Sequence, residues 1–108
     1  MNWYKKIASV RDVKKEYLQR VIEELKKAED VSSVDKLQAE ERLDKVFNEL
    51  DNTTGDILKM PTSIKETMKK ELGHAKKVLR DSPKNFVEIL DGVILYLDDY
   101  MQSLYMDL

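Results

Sequence analysis

A chain of 108 residues with 42% hydrophobic content fits one compact domain with a real core, so a single domain over residues 1–108 is expected. Charged residues make up 37% of the chain yet nearly cancel to a formal net charge of −2, which gives no whole-molecule attraction to nucleic acid or to an anionic membrane. The absence of cysteine excludes disulfides, thiolate nucleophiles and cysteine metal sites.

The chain opens Met1-Asn2-Trp3-Tyr4-Lys5-Lys6-Ile7, basic but with no apolar run of signal-peptide length behind it, so a cytoplasmic protein is expected. A first helix is predicted from Asn2 to about Ala28, with Trp3, Ile7, Val10, Tyr17, Leu18, Val21, Leu25 and Ala28 on one face and Lys14 interrupting the stripe. Ser9, with Asp12 three residues on, offers a second start, so this segment is either one long helix or a short one hinged near Ser9. After a short polar connection, a second helix is predicted from Ser32 or Ser33 to about Leu50, with Asp35 completing the cap. Ala39, Leu43, Val46, Phe47 and Leu50 form its stripe, and Val34 with Leu37 suits a hydrophobic staple at its start.

The one long connection is Asp51 to Thr62. Its turn-rich first half is followed by Ile57, Leu58 and Met60, apolar residues that a loop does not waste. Ser63 with Glu66 reads as a capping box opening a third helix that runs to about Asp81, with Ile64, Met68, Leu72, Ala75 and Leu79 inward. Gly73 inside it costs about 1 kcal/mol against alanine, and close packing on a neighbour is the reason expected for it. Ser82 as N-cap and Pro83 as first helical residue open the fourth helix. Phe86, Leu90, Val93, Leu97, Tyr100, Met101, Leu104 and Leu108 line its face, and Val87, Ile89, Ile94, Tyr96 and Tyr105 widen it, a breadth that predicts an interior helix. Asp91, Asp98 and Asp99 break this run well short of the roughly 20 uncharged residues a membrane span needs.

No strand pattern survives, and short connections favour antiparallel neighbours. The expected fold is all-α, an antiparallel up-down-up-down four-helix bundle with a long connection between helices 2 and 3. Charge supports it. Residues 1–31 carry eight basic and six acidic side chains, 34–51 three and six, 64–81 six and three, and 83–108 one and five. The sign therefore alternates from helix to helix, so in a cyclic bundle every neighbouring pair is oppositely charged. Each exposed pair contributes only about 0–1 kcal/mol, so the pattern specifies arrangement more than it stabilises.

No catalytic set, cofactor cradle or metal site is expected, and the protein reads as non-enzymatic. The single histidine, His74, follows Glu71 at the Glu-x-x-His spacing, but no second copy completes a bundle metal site, and a solvated histidine is expected. Three glycines in the whole chain build no phosphate loop. Lys69, Lys76 and Arg80 can line a basic flank of the third helix. No Asn, Gln or aromatic interleaves there to read or stack on bases, so nucleic acid is disfavoured and a solvated lysine face is expected.

An up-down-up-down bundle gathers the N-terminus, the long connection and the C-terminus at one end. That end brings Trp3, Tyr4, Ile57, Leu58, Met60 and Tyr105 together, as a plug of the bundle or as a contact surface of residue types favoured where proteins meet. Asp91 and Asp98 share a face of the fourth helix with Leu95 between them, as a solvated flank or an acidic docking strip. Small, charged four-helix proteins are common among bacterial immunity proteins, antitoxin-like inhibitors and phage accessory proteins, an analogy of architecture that does not fix function. The expectation is a protein-binding module of unknown partner, with a self-associating homodimer or scaffold subunit as the alternative and nucleic-acid binding through the third helix as the weaker one.

Overall fold

The computed structural model describes the backbone of residues 3–51 and 61–106, and the side chains of residues 14–50 and 61–104. Four helices account for nearly all of this, with no strand among the described residues: α1 (Trp3–Val31), α2 (Lys36–Asp51), α3 (Thr62–Val78) and α4 (Pro83–Met106). They form a ring in which α1 touches α2 and α4, and α3 touches α2 and α4, while the diagonal pairs do not approach one another. The bundle is therefore closed on itself, and each helix meets only neighbours of opposite net charge. Pairs across α2 and α3 run in opposite senses along the chain: Lys36 reaches the Arg80 carbonyl at 2.8 Å, and Asp44, two turns on, meets Lys76 at 2.9 Å.

The core draws on all four helices. Leu18, Val21 and Leu25 of α1, Leu43, Val46 and Leu50 of α2, Met68, Leu72 and Leu79 at α3, and Phe86, Leu90 and Leu97 of α4 are almost completely buried. Each set recurs at three-and-four spacing, so helical periodicity by itself delivers one apolar stripe per helix to a common axis. α1 and α4 have 29 and 24 residues against 16 and 17 for α2 and α3. At about 1.5 Å per residue the outer pair is longer by roughly 10–20 Å.

Several helix ends differ from expectation, each for a local reason. α1 is continuous through Ser9, with no hinge there, and ends at Val31. Ser32 does not open α2. It is 1% exposed, and its hydroxyl donates to the Glu29 carbonyl at 2.8 Å, closing the last turn of α1. Asp35 is the cap instead, its Oδ1 accepting the Gln38 N–H at 3.0 Å. The staple does not form, since Val34 and Leu37 are 83% and 67% exposed. The capping box at Ser63 does not form either. Pro61, extended at φ −54° and ψ 140°, starts the helix two residues earlier, its carbonyl accepting from Ile64 and Lys65 with no side-chain cap. α3 ends at Val78, and the following turn is closed by the Asp81 and Ser82 N–H groups on the Val78 carbonyl. α4 opens as expected, Ser82 Oγ accepting from Asn85 N–H at 3.3 Å.

α4 has neighbours on two sides, α1 and α3, as the breadth of its stripe implies, while its outer side carries Leu95 at 66% and Tyr96 at 38% exposure. Its apolar breadth exceeds what α1 and α3 cover. No helix among the described residues is long and apolar enough to cross a membrane.

Candidate functional site

Among the described residues, grooves run between neighbouring helices, and their charge distinguishes them. The one between α2 and α3, of about 590 Å³, has Leu43, Phe47 and Leu72 on its floor, acids on its α2 wall and bases on its α3 wall. Lys76 bridges the walls, 2.9 Å from Asp44 and 3.6 Å from Glu40, and Lys69 lies 5.6 Å above the Phe47 ring. The hydrogen bond to Asp44 is the main reason that the Lys76 ammonium is held above its ordinary pKa. Two of the three cations expected to form a basic flank on α3 are thus engaged within the bundle. A smaller groove between α1 and α2 is walled by charge of both signs, where Glu24 takes Arg42 at 2.7 Å and Lys45 at 4.0 Å. There the acid comes from the net-basic helix and the bases from the net-acidic one, so net charge agrees with the ring but not with this pair.

The groove between α3 and α4 is different. Its volume is about 370 Å³, its apolar lining is Met68, Ile89, Val93 and Tyr96, and its only charged lining residues are Glu71 and Glu88. No base among its lining residues offsets the two acids. Gly92 lies in its α4 wall, and a Cβ built there would meet no other atom within 4 Å.

The outer face of α4 adjoins this groove. Asp91 is exposed, Leu95 stands out between it and Asp98 one heptad on, and Asp99 is exposed beside them. Asp98 is half-buried, its Oδ2 accepting from Gln102 Nε2 at 3.0 Å. Asp91 also has a neighbour on α1. Burial, with Asp91 alongside as the next cause, pushes the Glu29 carboxyl up to about 8, and Glu29 Oε1 is buried with no hydrogen-bond partner. Glu29 also lies in the last turn of α1, where the negative end of the helix dipole acts in the same direction.

Of the residues expected at the apolar end, Trp3 and Tyr4 belong to α1 and Tyr105 to α4 by backbone, and their side chains lie outside the described residues. Ile57, Leu58 and Met60 lie outside them altogether. Asp91 and Asp98 fall on one helix face with Leu95 between, as their spacing implies. Ile89, Gly92 and Tyr96 were not foreseen as a site. Their signal was the excess width of the α4 stripe, which periodicity alone assigns to the core. His74 is exposed, and among the described residues no three His, Asp or Glu side chains converge as a metal ion would need. Compared with known protein families, with curated proteins and with solved structures, the chain matches none.

Proposed function

We propose that this protein is a non-enzymatic binding module that acts by occupying a protein partner, with the outer face of α4 as the contact surface. The observation that carries the reading is Leu95, a large apolar side chain 66% exposed on a rigid helix with Asp91 and Asp98 one heptad apart on either side. An apolar anchor ringed by charge of one sign suits a partner that presents an apolar surface and basic residues, which steer approach and select against like-charged competitors. Such a module fits the part of a small inhibitor, immunity or accessory protein, which needs no chemistry of its own.

Self-association through the same face is the weaker reading, and its difficulty is electrostatic. A two-fold interface places a patch on itself, so two α4 faces would set Asp91, Asp98 and Asp99 against their copies. Light scattering behind gel filtration checks this, a monomer at micromolar concentration being expected.

The test of the main reading is capture from a lysate of the native host with the intact chain as bait. Leu95→Asp and Asp98→Lys, each with an unchanged helical circular dichroism spectrum, are expected to lose the partner, while Trp3→Ala and Tyr105→Ala keep it. Undiminished capture by both α4 variants overturns the reading, and loss only with Trp3→Ala or Tyr105→Ala moves the contact to the end of the bundle.

A further inference from the structure

We infer that the groove between α3 and α4 is the seat of one basic amphipathic helix of the partner, its backbone closest at Gly92, its apolar side on Ile89 and Tyr96, and its cations facing Glu71 and Glu88. This rests on the reading of α4 as a protein-binding face and goes further in naming the kind of segment bound.

Gly92 is the first argument. A glycine in a helix interior costs about 1 kcal/mol against alanine, and this one has neither of the usual compensations. No glycine among the described residues has a positive φ, and beyond its own stretch of helix no atom of the described residues lies within 4 Å of where its Cβ would be. What the missing side chain leaves is room for another backbone to come close.

Spacing is the second argument. Ile89, Gly92 and Tyr96 stand at i, i+3 and i+7 on α4, one flank of a helix, and a helix laid in a groove is read through contacts of this spacing.

Sign of charge is the third argument. Glu71 from one wall and Glu88 from the other face the same space with no base among the lining residues. The groove between α2 and α3 also contains a glycine with nothing near it, Gly73, but there Lys76 already spans the walls to Glu40 and Asp44. An occupant of that groove would have to break an existing ion pair, whereas the groove at Gly92 has acids that a basic helix would answer.

The experiment uses the full chain, isotope-labelled, and two synthetic helices of about 18 residues, roughly five turns, with the same leucine spacing but lysine or glutamate at every polar position. The lysine helix is expected to bind, with amide shifts clustered at residues 67–71 and 88–96, and the glutamate helix is expected not to bind at the same concentrations. Gly92→Leu, which fills the seat while raising helix propensity, is expected to weaken binding by about tenfold or more. Gly73→Leu, which fills the other groove, is expected to leave it unchanged. Should Gly92→Leu disturb the fold, the paired change Glu71→Lys with Glu88→Lys, at one half-buried and one exposed position, carries the same test and is expected to abolish binding. No binding of the lysine helix, equal binding of both helices, shifts centred elsewhere, or indifference to these variants overturns the inference. If host-partner capture needs Leu95 and Asp98 while Gly92→Leu changes neither capture nor probe binding, the seat is wrong and the α4 face stands.

Discussion

Glu29 of α1 and Asp91 of α4 are two acids set against each other across the helix interface, with Glu29 Oε1 buried and without a partner. Two ionised carboxylates in that position would repel in a partly desolvated site, so Glu29 keeps its proton to about pH 8. Its folded pKa lies above its unfolded value, so the folded chain binds more protons between the two. The stability it contributes is complete below about pH 4.5 and is lost as pH rises toward about 8. Glu29→Gln keeps the shape and removes the titration. Its Tm is expected to exceed that of the parent at pH 8.5, with the difference closing by pH 4.5. An equal difference at both pH values would refute the proton retained on Glu29.

Gly73 lies inside α3 with nothing within 4 Å of a built Cβ, so the close packing expected as its reason is absent. Gly73→Ala therefore adds helix propensity without a clash and is expected to stabilise by about 0.5–1 kcal/mol, read as a higher urea midpoint with an unchanged slope. A loss of stability would mean that α2 stands closer to α3 than the groove allows.

Tyr17 is 6% exposed, and its hydroxyl is buried with no hydrogen-bond partner. Burial first, then the charge of Glu49 on α2, pushes the phenol up to about 12, against a smaller opposing effect of Arg20, whose guanidinium lies 6.0 Å from the ring. A buried hydroxyl without a partner costs roughly 1–3 kcal/mol of desolvation. Tyr17→Phe keeps the ring and is expected to be neutral or to stabilise by about 1 kcal/mol. A clear loss in chemical denaturation would show that the hydroxyl is bonded in solution.

Much of the fold was legible because burial follows from a period. Leu18, Val21 and Leu25, or Phe86, Leu90 and Leu97, need no knowledge of the other helices to be placed on one face. Width was misleading by the same logic. Ile89 and Tyr96 extend the α4 stripe, yet periodicity cannot say whether a neighbour covers them, and α3 leaves a groove there. Pairing between helices was the least legible, since it depends on register between distant segments. Nothing near Glu29 in sequence points to Asp91, and the helix charges that favour the ring predict the wrong donors for the Glu24–Arg42 pair.

Helix starts test the remaining ambiguity, because a serine hydroxyl can accept from the turn ahead or donate to the turn behind. Ser63 and Glu66 have the spacing of a capping box, but Pro61 has already begun the helix and Ser63 is exposed within its first turn. Asp35 accepts a backbone N–H at 3.0 Å, Ser82 accepts one at 3.3 Å, and Ser32 donates to the end of α1 at 2.8 Å. Asp35→Ala is expected to cost about 1 kcal/mol, and Ser82→Ala somewhat less, because its bond is longer. Ser63→Ala removes no cap and trades serine for the best helix former, so it is expected to be neutral or to stabilise by a few tenths, on the order of 0.3 kcal/mol. Urea midpoints at a common slope separate these cases. A cost for Ser63→Ala equal to that of Asp35→Ala would move the start of α3 from Pro61 to the serine and shorten the helix at that end.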